Sequence, residues 1–206
     1  MPFSEIGLIW AYIIIISLSL NLSIGILFLY KSRKTNARLL GYFGLYAIFA
    51  ALCGTGTLID IVAIFVTGSN LENPNNVISI LNYIWLVPAG LIIMIVSTDI
   101  ITPNKKWIIR GLFILIGIII DVLVIFDPIN SFDAIPPHNP GETIIYEYLV
   151  LDSPAGILYL IGILYVFLFS VLGFLIKGIK STGVLKKKSI QLSAGIFLIL
   201  VINTIS

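Results

Sequence analysis

Three carboxylates fall within or at the edges of long apolar stretches: Asp60, Asp99 and Asp121. A charge in hydrocarbon is costly, so an acid at such a position is by default a candidate for holding a proton, a cation or a hydrogen-bonding ligand. Their placement separates them. Asp99 closes its stretch beside Lys105 and Lys106 and reads as a boundary residue. Asp60 and Asp121 lie toward the opposite ends of theirs, where no lysine or arginine is available to pair with them. Two readings follow: the pair lines one outward-facing cavity, or each acid hydrogen-bonds a neighbouring helix.

Asn82, Tyr83, Trp85 and Pro88 form a dense polar-aromatic patch in the third apolar stretch. Proline removes a rung of the helical ladder and permits a kink there, which suits a pocket wall and also suits plain packing. Asp133, His138, Glu142 and Glu147 sit in a long polar loop, as a cation or ligand site or as solvated acids. His138 is the single histidine and Cys53 the single cysteine, so a two-histidine metal site, a CxxC site and an intrachain disulfide are excluded. No Walker loop, GxSxG elbow or HExxH occurs, no histidine lies among the basic loops to accept phosphate, and no lysine lies within an apolar core to form a Schiff base. The expectation is a protein without catalysis, metal or cofactor.

The elements that position these residues follow from composition. The chain has 206 residues, 59% hydrophobic and 11% charged, and its mean hydropathy is +1.11. Soluble domains carry about twice that charged fraction. All 12 cationic residues fall in three clusters: Lys31–Arg38, Lys105–Arg110 and Lys177–Lys188. The intervening loops carry Glu72, Asp127, Asp133, Glu142, Glu147 and Asp152 instead. This is the positive-inside pattern of a multi-pass membrane protein, with the cationic loops in the cytoplasm and the N-terminus outside. The net charge of +2 gives no reason to expect nucleic acid; the partner it implies is the lipid bilayer, through anionic headgroups.

About 20 apolar residues span a bilayer as a helix, and six such stretches appear, at about 5–30, 39–67, 78–101, 107–126, 154–177 and 189–205. The expected fold is all-α: one integral-membrane bundle over residues 1–206. The first stretch lacks a basic leader and reads as a retained helix. The runs do not alternate as barrel strands would. Ser17, Asn21 and Gly25 share one helical face, and Ala50, Gly54 and Thr57 another, as close helix contacts in membranes require. In the loop at 127–153, four prolines prevent a long helix in the first half, while residues 143–151 read as a short strand or an interfacial segment. No pair of matching interrupted helices marks an inverted-repeat transporter.

The segment Leu81-Asn-Tyr-Ile-Trp-Leu-Val-Pro88, the long loop after the fourth stretch, and Leu185-Lys-Lys-Lys-Ser-Ile-Gln191 through Ile202-Asn-Thr204 complete the pattern. In these features the chain resembles the seven-helix membrane sensor region at the N-terminus of many archaeal and bacterial histidine kinases. That resemblance implies a signal-transduction module that binds a small or lipidic signal from outside and passes it to a cytoplasmic signalling domain or partner. It also implies a seventh helix and an output domain beyond these residues, and it carries over no catalytic residue. A small secondary transporter or proton-coupled carrier using Asp60 and Asp121 is the second expectation. A structural or assembly subunit is the third.

Overall fold

A computed structural model of the chain describes residues 5–135 and 146–205. It is a helical bundle: α1 (Glu5–Thr35), α2 (Arg38–Leu52), α3 (Thr55–Thr67), α4 (Val77–Tyr83), α5 (Leu86–Ile101), α6 (Lys106–Phe126), the single turn α7 (Pro128–Ser131), α8 (Pro154–Val166), α9 (Gly173–Lys180) and α10 (Gly183–Ile205). A π-helical turn, Phe167–Leu172, joins α8 to α9. Two strands, β1 (Phe132–Ile135) and β2 (Tyr146–Leu149), pair antiparallel with Phe132 opposite Leu149. The second strand falls inside the segment whose alternation anticipates it.

Four helical segments are long and apolar enough to cross a membrane: Gly7–Thr35, Pro74–Ile101, Pro103–Phe126 and Pro154–Lys180. The α2–α3 pair makes a fifth if it counts as one span, although it bends by 43° at its break. The chain is therefore an all-α protein of multi-pass membrane type. The stretch at 39–67 is thus not one continuous helix. Nor is 78–101, because Pro88 has no N–H for the carbonyl of Ile84, and α4 ends just before that point. α1 runs on to Thr35 and takes Arg33 and Lys34 into its last turn, where cations meet the unpaired carbonyl end of the helix dipole. α10 starts at Gly183 and includes the lysines that precede the anticipated start at residue 189.

The two ends of the bundle differ in chemistry. At one end lie the short connections after α1, α5 and α9, with the basic residues around them. Lys177 of α9 donates to the carbonyl of Ile100 at 2.6 Å, which ties two of these connections together. At the other end the turn before α4 meets the hairpin: Asn76 Nδ2 donates to the carbonyls of Pro128 (3.1 Å) and Phe132 (3.3 Å). Asn76 adopts φ 51°, a left-handed conformation that asparagine tolerates better than most residues.

α5 runs through the middle of the bundle, against α2, α6 and the π turn. Its polar side chains meet partners across those contacts. Ser97 donates to Ser170 at 2.7 Å, and Ser193 of α10 donates to the carbonyl of Val171 inside the π turn at 2.8 Å. Hydroxyls of this kind replace water for backbone groups that a π turn displaces. α1 packs chiefly on α2. Its close approach is at Gly25 and Gly44: a Cβ on Gly44 would sit 2.9 Å from the Gly25 carbonyl oxygen. Of the α1 face anticipated from spacing, Gly25 makes this contact, whereas Ser17 is exposed and Asn21 donates back to the Ser17 carbonyl within its own helix.

Candidate functional site

Toward the hairpin end, α5, α6 and α8 separate around a cavity of about 100 Å³. α6 contributes Phe113, Gly117, Ile120 and Asp121, and α8 contributes Tyr159, Gly162 and Val166. Both sets repeat at three and four residues, so each is one helical face. Val87 and Gly90 of α5 line the third side, with Tyr46 and Tyr83 reaching in from α2 and α4. Leu149 of β2 also lines it, within an apolar cluster that includes Phe132 of β1, so the hairpin roofs this region of the bundle. Tyr83 packs on Phe132 at 5.0 Å between ring centroids and edge-on to Tyr159 at 6.3 Å.

Among the described residues Asp121 is the carboxylate that lines this cavity, and the side chains around it are aliphatic or aromatic, three of them tyrosines. Among the described residues it makes no hydrogen bond or ion pair. A carboxylate in such surroundings favours a ligand that supplies a proton donor or a cation. Gly162 matters for a different reason: it is buried, yet a Cβ placed on it would meet nothing within 4 Å. The free volume is therefore real space beside α8. Neither Gly162 nor Tyr46 stands out in the sequence; the periodic face of α8 was the available signal.

Asp60 is fully buried but does not line this cavity. Its carboxylate accepts the backbone N–H of Leu71 at 2.8 Å and the Asn70 amide at 2.9 Å. Asp60 thereby folds the loop after α3 back onto its own helix. These partners belong to that loop rather than to a neighbouring helix, and Asp60 lies outside the cavity that Asp121 lines.

Asn82 works as a remote helix cap. The break at Cys53–Gly54 leaves the first N–H groups of α3 without carbonyl partners inside the bundle. Asn82 Oδ1 accepts from Gly56 N at 2.8 Å and Thr57 N at 3.3 Å, while its Nδ2 donates to Thr57 Oγ1 at 3.0 Å. Gly56 is required here, because a side chain would collide with the Ile78 carbonyl. Trp85 stacks on Phe49 at 6.2 Å beside the same break. Of the polar-aromatic patch, only Tyr83 reaches the cavity.

At the basic end, Asp99 accepts from Arg110 Nη2 at 2.8 Å and Lys106 Nζ at 3.1 Å. Arg110 is buried and also donates to Thr98 Oγ1 and the Ile95 carbonyl, each at 2.8 Å. Asp99 is thus a boundary residue with a definite task, clamping α5 to α6. In the hairpin, Asp133 accepts from the Tyr148 hydroxyl at 3.1 Å, which holds that phenol above its usual pKa range. His138 and Glu142 lie outside the described residues, and Glu147 is paired through its backbone in β2. Among the described residues no cluster of metal-ligating side chains occurs.

The chain matches no family model, no curated protein and no solved structure.

Proposed function

We propose that this chain is a membrane-embedded sensor or receptor-like module without catalysis of its own. It takes a small or lipidic signal in the cavity between α5, α6 and α8. The reading rests on one observation above the others: a preformed, aromatic-lined hollow whose carboxylate, Asp121, makes no hydrogen bond or ion pair among the described residues. Ligand sites are typically apolar hollows with a few convergent polar groups. The threading that goes with this reading has six spans, α10 being the sixth, with the N-terminus and hairpin outside and the cationic connections in the cytoplasm, as the distribution of lysine and arginine favours. The layout resemblance to the histidine kinase sensor region supports the same role.

Signal passage needs an element with two arrangements that a ligand weights differently. The π turn at Phe167–Leu172 and the break between α4 and α5 both adjoin helices that line the cavity, and irregular turns of this kind are easier to shift than a regular helix. A carrier that couples Asp60 and Asp121 gains no support from their separation into different environments.

The test is mass spectrometry of small molecules and lipids extracted from the purified chain. Gly162→Leu fills the hollow where there is room for a side chain. The expected result is a species retained by the parent chain and depleted about tenfold or more in Gly162→Leu, with weaker retention in Asp121→Asn. An identical set of retained species in all three proteins defeats the reading.

A further inference from the structure

At the basic end, a groove of about 390 Å³ separates α2 from α10. Leu39 and Phe43 form the α2 wall. Lys188, Gln191 and Gly195 mark the facing side of α10, spaced by three and four residues so that they share one face, and the buried Ile196 closes the floor. Among the described residues no acid lines the groove, and Lys186 and Lys187 lie exposed beside its cationic end. Phe43 and Ile196 also line a second, apolar recess of about 40 Å³, so hydrocarbon surface continues inward from the groove.

We propose that this groove binds one anionic phospholipid. The phosphate pairs with Lys188 and accepts from the Gln191 amide, and an acyl chain lies along Phe43 and Ile196. The shape calls for an amphiphile, since charge is confined to one end and hydrocarbon lies beyond it. The volume exceeds the ~150 Å³ that holds a benzene-sized ring. A transmembrane helix in the same place would set apolar side chains against the Lys188 ammonium, whereas a lipid phosphate neutralises it; basic pockets between helices at the cytoplasmic surface are suited to such headgroups. The proposal does not depend on a ligand beside Asp121.

Native mass spectrometry of the full chain, given equimolar phosphatidylglycerol and phosphatidylcholine with identical acyl chains, provides the test. The parent chain is expected to retain phosphatidylglycerol about fivefold more than phosphatidylcholine, the preference one basic contact supplies. Lys188→Gln removes that preference, while Lys34→Gln, at a lysine that does not line the groove, keeps it. Gly195→Phe blocks both lipids. A Cβ at Gly195, and likewise at Gly111 of α6, meets nothing within 4 Å, so Gly111→Phe serves as the control of equal bulk and keeps both lipids. Equal retention of the two lipids by the parent chain overturns the proposal, as does equal loss in Lys188→Gln and Lys34→Gln, which marks diffuse attraction. Full retention in Gly195→Phe overturns it too. So does a dimer mass that disappears in Gly195→Phe, because a second copy then covers the groove.

Discussion

Asn82 Oδ1 lies 2.8 Å from the backbone nitrogen of Gly56, across a gap of 26 residues in sequence. A side chain on α4 thereby completes the start of α3, and the broken span α2–α3 depends on a neighbour to satisfy its backbone.

Asn82→Leu removes this acceptor and leaves the Gly56 and Thr57 amides unpaired in the bundle interior. The expected loss is about 1–3 kcal/mol of unfolding free energy. Asn82→Asp, which keeps an acceptor for the same amides, loses less. Denaturant-induced unfolding in mild detergent measures both, and equal stability of the parent chain and Asn82→Leu would contradict the capping role.

Asp60 and Asp121 should part company on substitution. Asp60→Ala releases Asn70 and the Leu71 amide. Hydrogen exchange at residues 68–73 then accelerates, and stability falls by about 1–3 kcal/mol. Asp121→Asn removes a charge that no described partner balances, so the fold keeps its stability or gains some. Parallel behaviour of the two variants would return them to a single shared site.

A double-mutant cycle on Asp99→Asn and Arg110→Gln should give a coupling of about 1 kcal/mol. The carboxylate is 38% exposed, so solvent screens the pair well below what a dry interior would give. Arg110→Gln alone is expected to be the more damaging single change, because it also abandons Thr98 Oγ1 and the Ile95 carbonyl. Additive single effects would remove the clamp from the account.

Ser79 is fully buried on α4, and its hydroxyl has no hydrogen-bond partner among the described residues. Ser79→Ala deletes that hydroxyl without orphaning another group, so stability should hold steady or rise by up to about 1 kcal/mol. A thermal melt showing a clear loss would reveal a bond that the hydroxyl makes in the membrane.

The apolar runs made the helices legible, because lipid leaves a backbone few ways to satisfy itself. The partial alternation at 143–151 allows a short strand or an interfacial segment, and β2 lies within it. β1 is hidden: Phe-Asp-Ala-Ile is too short to show a period, and its pairing is set by a partner further along the chain. The interruption at Cys53–Gly54 was hidden too, since a glycine in a helix costs only about 1 kcal/mol and the residue that completes α3 lies on another helix. Asp60 is conspicuous as an acid in an apolar stretch, but its partners include a loop amide, and every residue except proline carries one. The polar-aromatic patch is one unit in sequence; the geometry divides it into a cap (Asn82), a stacking partner (Trp85) and one cavity residue (Tyr83). The cavity itself is an absence of side-chain volume, which local spacing does not encode.

The notch between Gly25 and Gly44 bears on how the protein is made. α1 is synthesised before α2, which is its main neighbour. Nineteen residues separate the two glycines, which is about 1 to 4 s of synthesis at ~5–20 residues per second. For that interval α1 lacks this contact, and backbone-to-backbone approach becomes available only when its mate arrives. The α1–α2 contact is therefore a timed encounter between two neighbouring segments, open before α5 exists to organise the rest.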